Sequence, residues 1–154
     1  MYFPTGRTIY LALTILGAAI GFYLFWPADK LTGLSKQIDA QVSATYETDQ
    51  NGKIFFIPDE EGVMLVVSPP YARISDLRGS IFDSTLLNKM QSYVDSEETG
   101  HLFYIKKGHL IDHRLLSERA TPILGKATGK EVVFQVSRQP TSGRPVRIEI
   151  MGQQ

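Results

Sequence analysis

His101-Leu-Phe-Tyr-Ile-Lys106-Lys107-Gly108-His109-Leu-Ile-Asp112-His113 is two short strand-like runs around a Lys-Gly pair. Gly accepts φ > 0 without steric cost, and two residues are enough to reverse a strand. Residues 101–106 and 109–113 are therefore predicted as a tight β-hairpin. The stretch also contains all three histidines of the chain. On a helix, His109 and His113 would share a face and could chelate a metal. On a strand they share a face but lie ~13 Å apart, too far for one ion. A two-residue turn pairs Lys106 with His109, Leu102 with His113 and His101 with Arg114. That register turns His101 to the opposite face from the other two. No metal ligand and no catalytic residue is therefore expected here. A hydrolase using His101, His109 or His113 stands as the alternative.

Similar signals recur on both sides of this hairpin. Residues 131–137 (Glu-Val-Val-Phe-Gln-Val-Ser) and 146–151 (Val-Arg-Ile-Glu-Ile-Met) read as strands flanking residues 138–145, a longer hairpin whose connection is rich in Gly and Pro. Residues 53–57 (Lys-Ile-Phe-Phe-Ile) and 63–68 (Val-Met-Leu-Val-Val-Ser) read as strands joined by the loop 58–62, a third hairpin. Between them lies residues 80–95, where Phe82, Leu86, Leu87, Met90, Tyr93 and Val94 form one helical stripe. Ser80 and Asp83 suggest a capping box at its start. Leu31, Leu34, Ile38, Val42 and Tyr46 give residues 30–46 the same period, and residues 114–120 suggest a short helix. Hairpins separated by helices, with no βαβ rhythm, predict an α+β fold with a mainly antiparallel sheet and one or two amphipathic helices.

The N-terminal end has a different character. Residues 8–26 are 19 residues without a charge, which as a helix would extend roughly 28 Å, close to the thickness of a bilayer core. Aromatic residues lie toward both ends, and Pro27 follows at once. A transmembrane helix is expected there. A cleaved signal peptide fits less well, because a cut after Gly17-Ala18-Ala19 would leave Ile-Gly-Phe-Tyr-Leu-Phe-Trp exposed. The expected organisation is a tail at 1–7, the span at 8–26, a juxtamembrane helix or stalk at 27–47 and a soluble α+β domain at 48–154. The expected localisation is a single-pass membrane protein held by an uncleaved signal anchor. Its N-terminus would be cytoplasmic and its C-terminal domain exported, to the periplasm if the source is bacterial. Thr14, Gly17, Ala18 and Gly21 would share one face of the span and could pack against a second helix, including that of another copy.

Composition removes several chemistries. The chain has 154 residues, 16 Lys+Arg against 16 Asp+Glu, and no cysteine. Disulfides, thiolate metal sites and a Cys nucleophile are excluded. Zero net charge argues against nucleic acid as a partner. Gly125-Lys-Ala-Thr-Gly129-Lys130 fails the phosphate-loop pattern, because Glu131 stands where Ser or Thr is needed. It reads as a flexible loop. G-x-S-x-G and H-E-x-x-H are absent, and no cofactor is implied. Asp59-Glu60-Glu61 reads as a solvated acidic turn.

Charge is unevenly distributed along the chain. Residues 28–99 carry 6 basic and 12 acidic side chains, and residues 100–154 carry 9 and 4. This suggests a surface able to orient a partner. Tyr and Arg are enriched where proteins grip one another, which selects Tyr71, Arg73, Arg78, Arg138, Arg144 and Arg147 as candidate partner-binding residues. The expected function is a membrane-anchored, protein-binding module and not an enzyme: a subunit of an envelope assembly, or an inhibitor. Its partner would be another membrane or periplasmic protein. A cytosol-facing regulatory domain is the further alternative.

Overall fold

A computed structural model describes residues 30–77, 82–139 and 146–152. The chain enters at Lys30 and forms helix α1 (Thr32–Thr48). Strands β1 (Gly52–Phe56) and β2 (Val63–Ser68) follow, then a single 3-10 turn at Ile74–Asp76 and helix α2 (Ser84–Ser96). The remainder is strands: β3 (His101–Lys106), β4 (His109–Leu115), β5 (Ala120–Pro122), β6 (Gly125–Thr128), β7 (Val132–Arg138) and β8 (Val146–Gly152).

These strands make two four-stranded sheets, not one. The first has the order β1-β7-β8-β5 and the second β4-β3-β2-β6. The expected hairpin of residues 53–57 with 63–68 is absent: β1 pairs with β7, whereas β2 pairs with β3 and β6. The reason lies in β2, whose six residues are all buried. Such a strand needs neighbours on both edges and cover on both faces. Leu65 and Val67 face a core shared with Phe134, Ile148 and the α1 residues Leu34, Ile38 and Val42. Met64 and Val66 face a second core formed with Leu86, Met90 and Val94 of α2. The layers are therefore the first sheet with α1, then the second sheet, then α2.

β5 and β6 are consecutive and serve different sheets. β5 pairs parallel with the first half of β8, and β6 pairs antiparallel with β2. The Ile123 N–H donates to the Ile148 carbonyl at 2.8 Å and fixes the crossing between them. The parallel pair departs from the expected antiparallel pattern. Gly100 permits the close approach here, because a Cβ on it would stand 2.2 Å from Pro122 Cγ. The proline ring cannot swing aside. Gly100→Ala is expected to push β5 off β8 and lower stability by about 1–3 kcal/mol, read as a fall in the urea midpoint.

The helices differ from expectation at their ends. α2 starts at Ser84, with Asp83 as its cap: the carboxylate accepts the Leu86 N–H at 2.7 Å. Asp83 thus takes the role expected of Ser80, which lies outside the described residues, since a cap reaches the N–H three positions on. α1 has no side-chain cap of its own. Instead, the Leu31 N–H donates to Asp112 Oδ2 at 3.0 Å, a carboxylate placed at the positive end of the helix and a tie from α1 to β4. The short helix expected at 114–120 is replaced by the end of β4 and a turn closed by Ala120 N–H and the Ser117 carbonyl. The supposed loop at 125–130 is largely β6.

The expected membrane architecture is corrected. Among the described residues, no helix is long and apolar enough to cross a membrane. α1 has 17 residues and α2 has 13, and each buries one stripe against a sheet while its other side carries exposed side chains. α1 lies on the core and is not a detached stalk. The proposed span at 8–26, with Thr14, Gly17, Ala18 and Gly21, lies outside the described residues. The single-pass topology, signal anchor and exported localisation that rested on it are not supported by the structure.

Candidate functional site

Strand edges expose unpaired backbone N–H and C=O groups, and proteins usually guard them with bulges, charges, proline or brevity. Three of the four edges here are guarded. β4 carries a bulge and the side chains of Asp112 and Arg114. β5 is three residues long and ends in Pro122. β6 is four residues long, and its Ala127 lies close against Gly152 at the end of β8. The fourth edge, β1, has no bulge and no proline, and its single charge is Lys53.

β1 is also apolar on both faces. Ile54 points into the core and is 7% exposed, whereas Phe55 is 59% exposed and Ile57, one residue beyond the strand, is 71% exposed. The register Phe55–Val133–Met151 across β1, β7 and β8 continues the exposed apolar row over the open face of the first sheet. The next row is polar, Lys53–Gln135–Glu149. Sequence reading placed these residues in strands but did not select them. The signal was Lys53-Ile-Phe-Phe-Ile57 itself: without alternation, one of its faces had to remain uncovered or be covered by something else.

The loop after β1 is pinned by charge. Lys30 Nζ pairs with Asp59 Oδ2 at 2.7 Å and Glu60 Oε1 at 3.2 Å, Lys106 pairs with Glu60, and the Tyr104 hydroxyl donates to Asp59 Oδ1 at 3.2 Å. The Lys30 hydrogen bond holds the Asp59 carboxyl below its usual range, and the same bond raises Lys30. Burial, followed by the Asp59 charge, raises the Tyr104 hydroxyl. The acidic turn is thus a latch. A cleft of about 660 Å³ opens beside it, lined by residues that include Ile57, Met64, Ile105 and Lys130.

The candidate partner residues do not converge. Tyr71 and Arg73 are exposed on the linker held to α2, where the Tyr71 N–H donates to the Val94 carbonyl at 3.2 Å. Arg138 and Arg147 belong to the first sheet, on the far side of the second. Arg138 binds Asp49 Oδ1 at 3.0 Å and the Tyr46 carbonyl at 2.8 Å, and its N–H reaches Asn51 at the entry to β1. Arg147 pairs with Glu149 at 3.1 Å. Arg78 and Arg144 lie outside the described residues. The charge split along the chain also mixes on folding, because Lys106–Glu60 and Arg138–Asp49 join the two halves.

The histidine geometry differs from the sequence reading. Lys107 and Gly108 take φ of 49° and 78°, the expected two-residue turn. A bulge then leaves Ile111 unpaired, so that Ile105 opposes Leu110 while Tyr104 opposes Asp112. One extra residue reverses the parity of everything after it. His113 therefore opposes Phe103 instead of Leu102, and His101 opposes Leu115 instead of Arg114. His101 and His113 fall on the same face, and His101 Nδ1 lies 2.9 Å from His113 Nε2. His109 remains apart and exposed. Leu110-Ile111, two adjacent apolar residues that cannot both face the same side of a regular strand, was the available sign of the bulge.

This pair lies beneath α2, with His101 fully buried and His113 half-buried. His113 stacks on Tyr93 and Phe103 at centroid distances of 4.4 and 4.8 Å, and His101 lies parallel to Phe103 at 5.8 Å. His101 Nε2 is buried without a partner. A stranded N–H is rarer than a stranded acceptor, which assigns the His101 proton to Nδ1, donating to His113. Burial, with the neighbouring charge of His113, lowers His101 to about 4. Burial, with Arg114, lowers His113 to about 4. Among the described residues no group of three or more His, Cys, Asp or Glu could hold a metal. At neutral pH the arrangement is an uncharged, aromatic-sandwiched hydrogen bond that fastens β4 to β3. Comparison with known protein families, curated proteins and solved structures gives no match.

Proposed function

We propose that this protein is a protein-binding module that takes up an extended segment of its partner along the free edge of β1. The observation that carries the reading is the edge at Gly52–Phe56, unguarded among the described residues, with Phe55 and Ile57 exposed beside it. Strand addition uses backbone hydrogen bonds for affinity and alternate side chains for specificity. The first requirement is met by the backbone groups of β1, which have no strand partner on that edge among the described residues, and the second by the row Phe55–Val133–Met151 and the adjoining cleft. An exposed apolar edge left open would invite aggregation, so its persistence favours a physiological occupant.

The test is purification of the full chain from its native cells under gentle conditions. A stoichiometric companion, which can be another copy of the chain, is expected. Phe55→Lys should lose it while changing folding stability by no more than about 0.5–1 kcal/mol, because the side chain lies at the surface. Recovery of the wild-type chain with no companion of either kind would overturn the reading.

A further inference from the structure

We infer that α2 and the segment at residues 69–77 form a cover that acid lifts off the second sheet as one unit, while the core between the two sheets stays closed. The division of the core carries the inference. The core between the sheets draws no residue from 69–96. In the second core, Ile74 and Leu77 of the segment join Leu86, Met90 and Val94 of α2 against Met64, Val66, Phe103 and Ile105 of the sheet. Among the described residues, the hydrogen bonds that leave α2, apart from its cap, run to the same segment. The Tyr71 N–H donates to the Val94 carbonyl at 3.2 Å, Gln91 Nε2 to the Ala72 carbonyl at 2.9 Å, and the Ile74 N–H to Gln91 Oε1 at 2.9 Å. Segment and helix are thus hydrogen-bonded to each other and held to the sheet by apolar packing. Units joined to their neighbours in this way open locally at a lower cost than the whole fold.

The His101–His113 pair makes this contact sensitive to acid. A further proton has two places to go, and both are unfavourable while the cover is closed. On His113 Nε2 it removes the acceptor of the pair and sets two N–H groups against each other at 2.9 Å. On His101 Nε2 it occupies an atom that is buried without a partner. Among the described residues no carboxylate bonds to either ring. Asp112 is turned to α1, where it accepts the Leu31 N–H, and Asp95, Glu97 and Glu98 are exposed. The other groups around the pair add no negative charge. β4 places Arg114 beside His113, and α2 places the Tyr93 ring on it. β2 sets Ser68 opposite His101, with its hydroxyl bonded to the Pro69 carbonyl, and Lys126 of β6 lies over the Phe82 ring. Lifting α2 admits water to both rings, which return toward 6.5 from about 4. The open form then binds more protons than the closed one, so opening is favoured as the pH falls through that interval.

Amide exchange of the full chain at pH 7.5 and pH 5, corrected for the pH dependence of intrinsic exchange, tests this. One ring returning from about 4 to 6.5 raises the opening constant about thirtyfold at pH 5. The bonded amides of residues 69–77 and 84–96 should share one opening constant, rise by about that factor, and exchange at least tenfold faster than the β7 and β8 amides at both pH values. The double variant His101→Phe, His113→Phe should lose the rise. His113→Gln is the smaller change, should reduce the rise at least threefold, and serves if the double variant does not fold. Equal opening constants in α2 and in β7 and β8 would mean that the fold opens only as a whole, and the inference would fall. Opening of α2 without residues 69–77 would overturn the single unit. The absence of a rise, or a rise of the same size in the variants, would remove the histidines as its cause and overturn the inference.

Discussion

Lowering the pH from 6.5 to 4 is expected to remove about 3 kcal/mol of folding stability, through the pair of buried His101 and half-buried His113. Each imidazole is held neutral in the fold, with its pKa lowered from 6.5 to about 4, chiefly by burial. In the unfolded chain both return to the ordinary histidine range. Between the two values the unfolded state therefore binds more protons, and stability falls as the pH falls. The stabilising contribution is complete above about 6.5, declines through the interval and is spent below about 4, where the folded protein also accepts protons. A shift of this size corresponds to roughly 3 kcal/mol for one group at about 1.4 kcal/mol per unit. The two rings share a hydrogen bond and titrate as a pair, so that figure is used for the pair and is not doubled. Urea midpoints at half-unit steps of pH would measure it. The variant with His101→Phe and His113→Phe should show a much flatter profile over the interval. Equal slopes in the variant and the wild type would eliminate the histidine explanation.

Phe103→Ala should be the most damaging of the single substitutions considered. Phe103 is fully buried in the core between the second sheet and α2, and its ring stands against His113, His101 and Tyr93. Truncating a buried Phe costs about 3–5 kcal/mol, in lost transfer free energy and in the cavity left behind. Domains of this size commonly have only about 5–15 kcal/mol in total. The variant should therefore unfold at a much lower urea concentration, with Phe103→Leu falling between it and the wild type. A second consequence distinguishes this site from other core positions. Water entering the cavity would solvate the imidazoles and raise their pKa values toward 6.5, so the acid slope should become shallower as overall stability falls. A loss below about 1 kcal/mol would show that α2 does not seal this face of the sheet.

Much of the local structure was readable from residues and spacing. The Lys107-Gly108 turn, the stripe of α2, the helical period of Leu34, Ile38 and Val42, and the β7–β8 hairpin all depend on neighbours a few positions apart. What was not readable depends on distant parts of the chain. The partner of β1 is β7, about eighty residues away in sequence, and its apolar run gave no indication of which strand it would join. The site was legible only in part. Phe55 and Ile57 are ordinary strand residues until the strand is known to be an edge, while Arg147, chosen for its residue type, is engaged with Glu149.

The sequence alone determined the chemistry available to this protein. With no cysteine there is no thiol chemistry and no disulfide support, and the small domain depends on its cores. Its periodicities determined where most helices and strands lie, because side-chain direction follows backbone period locally. The tertiary structure decided which of those elements meet. It assigned β1 and β2 to different sheets, because β2 needs cover on both faces and neighbours on both edges. It also brought His101 and His113 together through one unpaired residue, Ile111. A strand has a side-chain period of two, so a single inserted residue exchanges its faces, and in the fold that insertion leaves Leu110 packed against the core beneath α2.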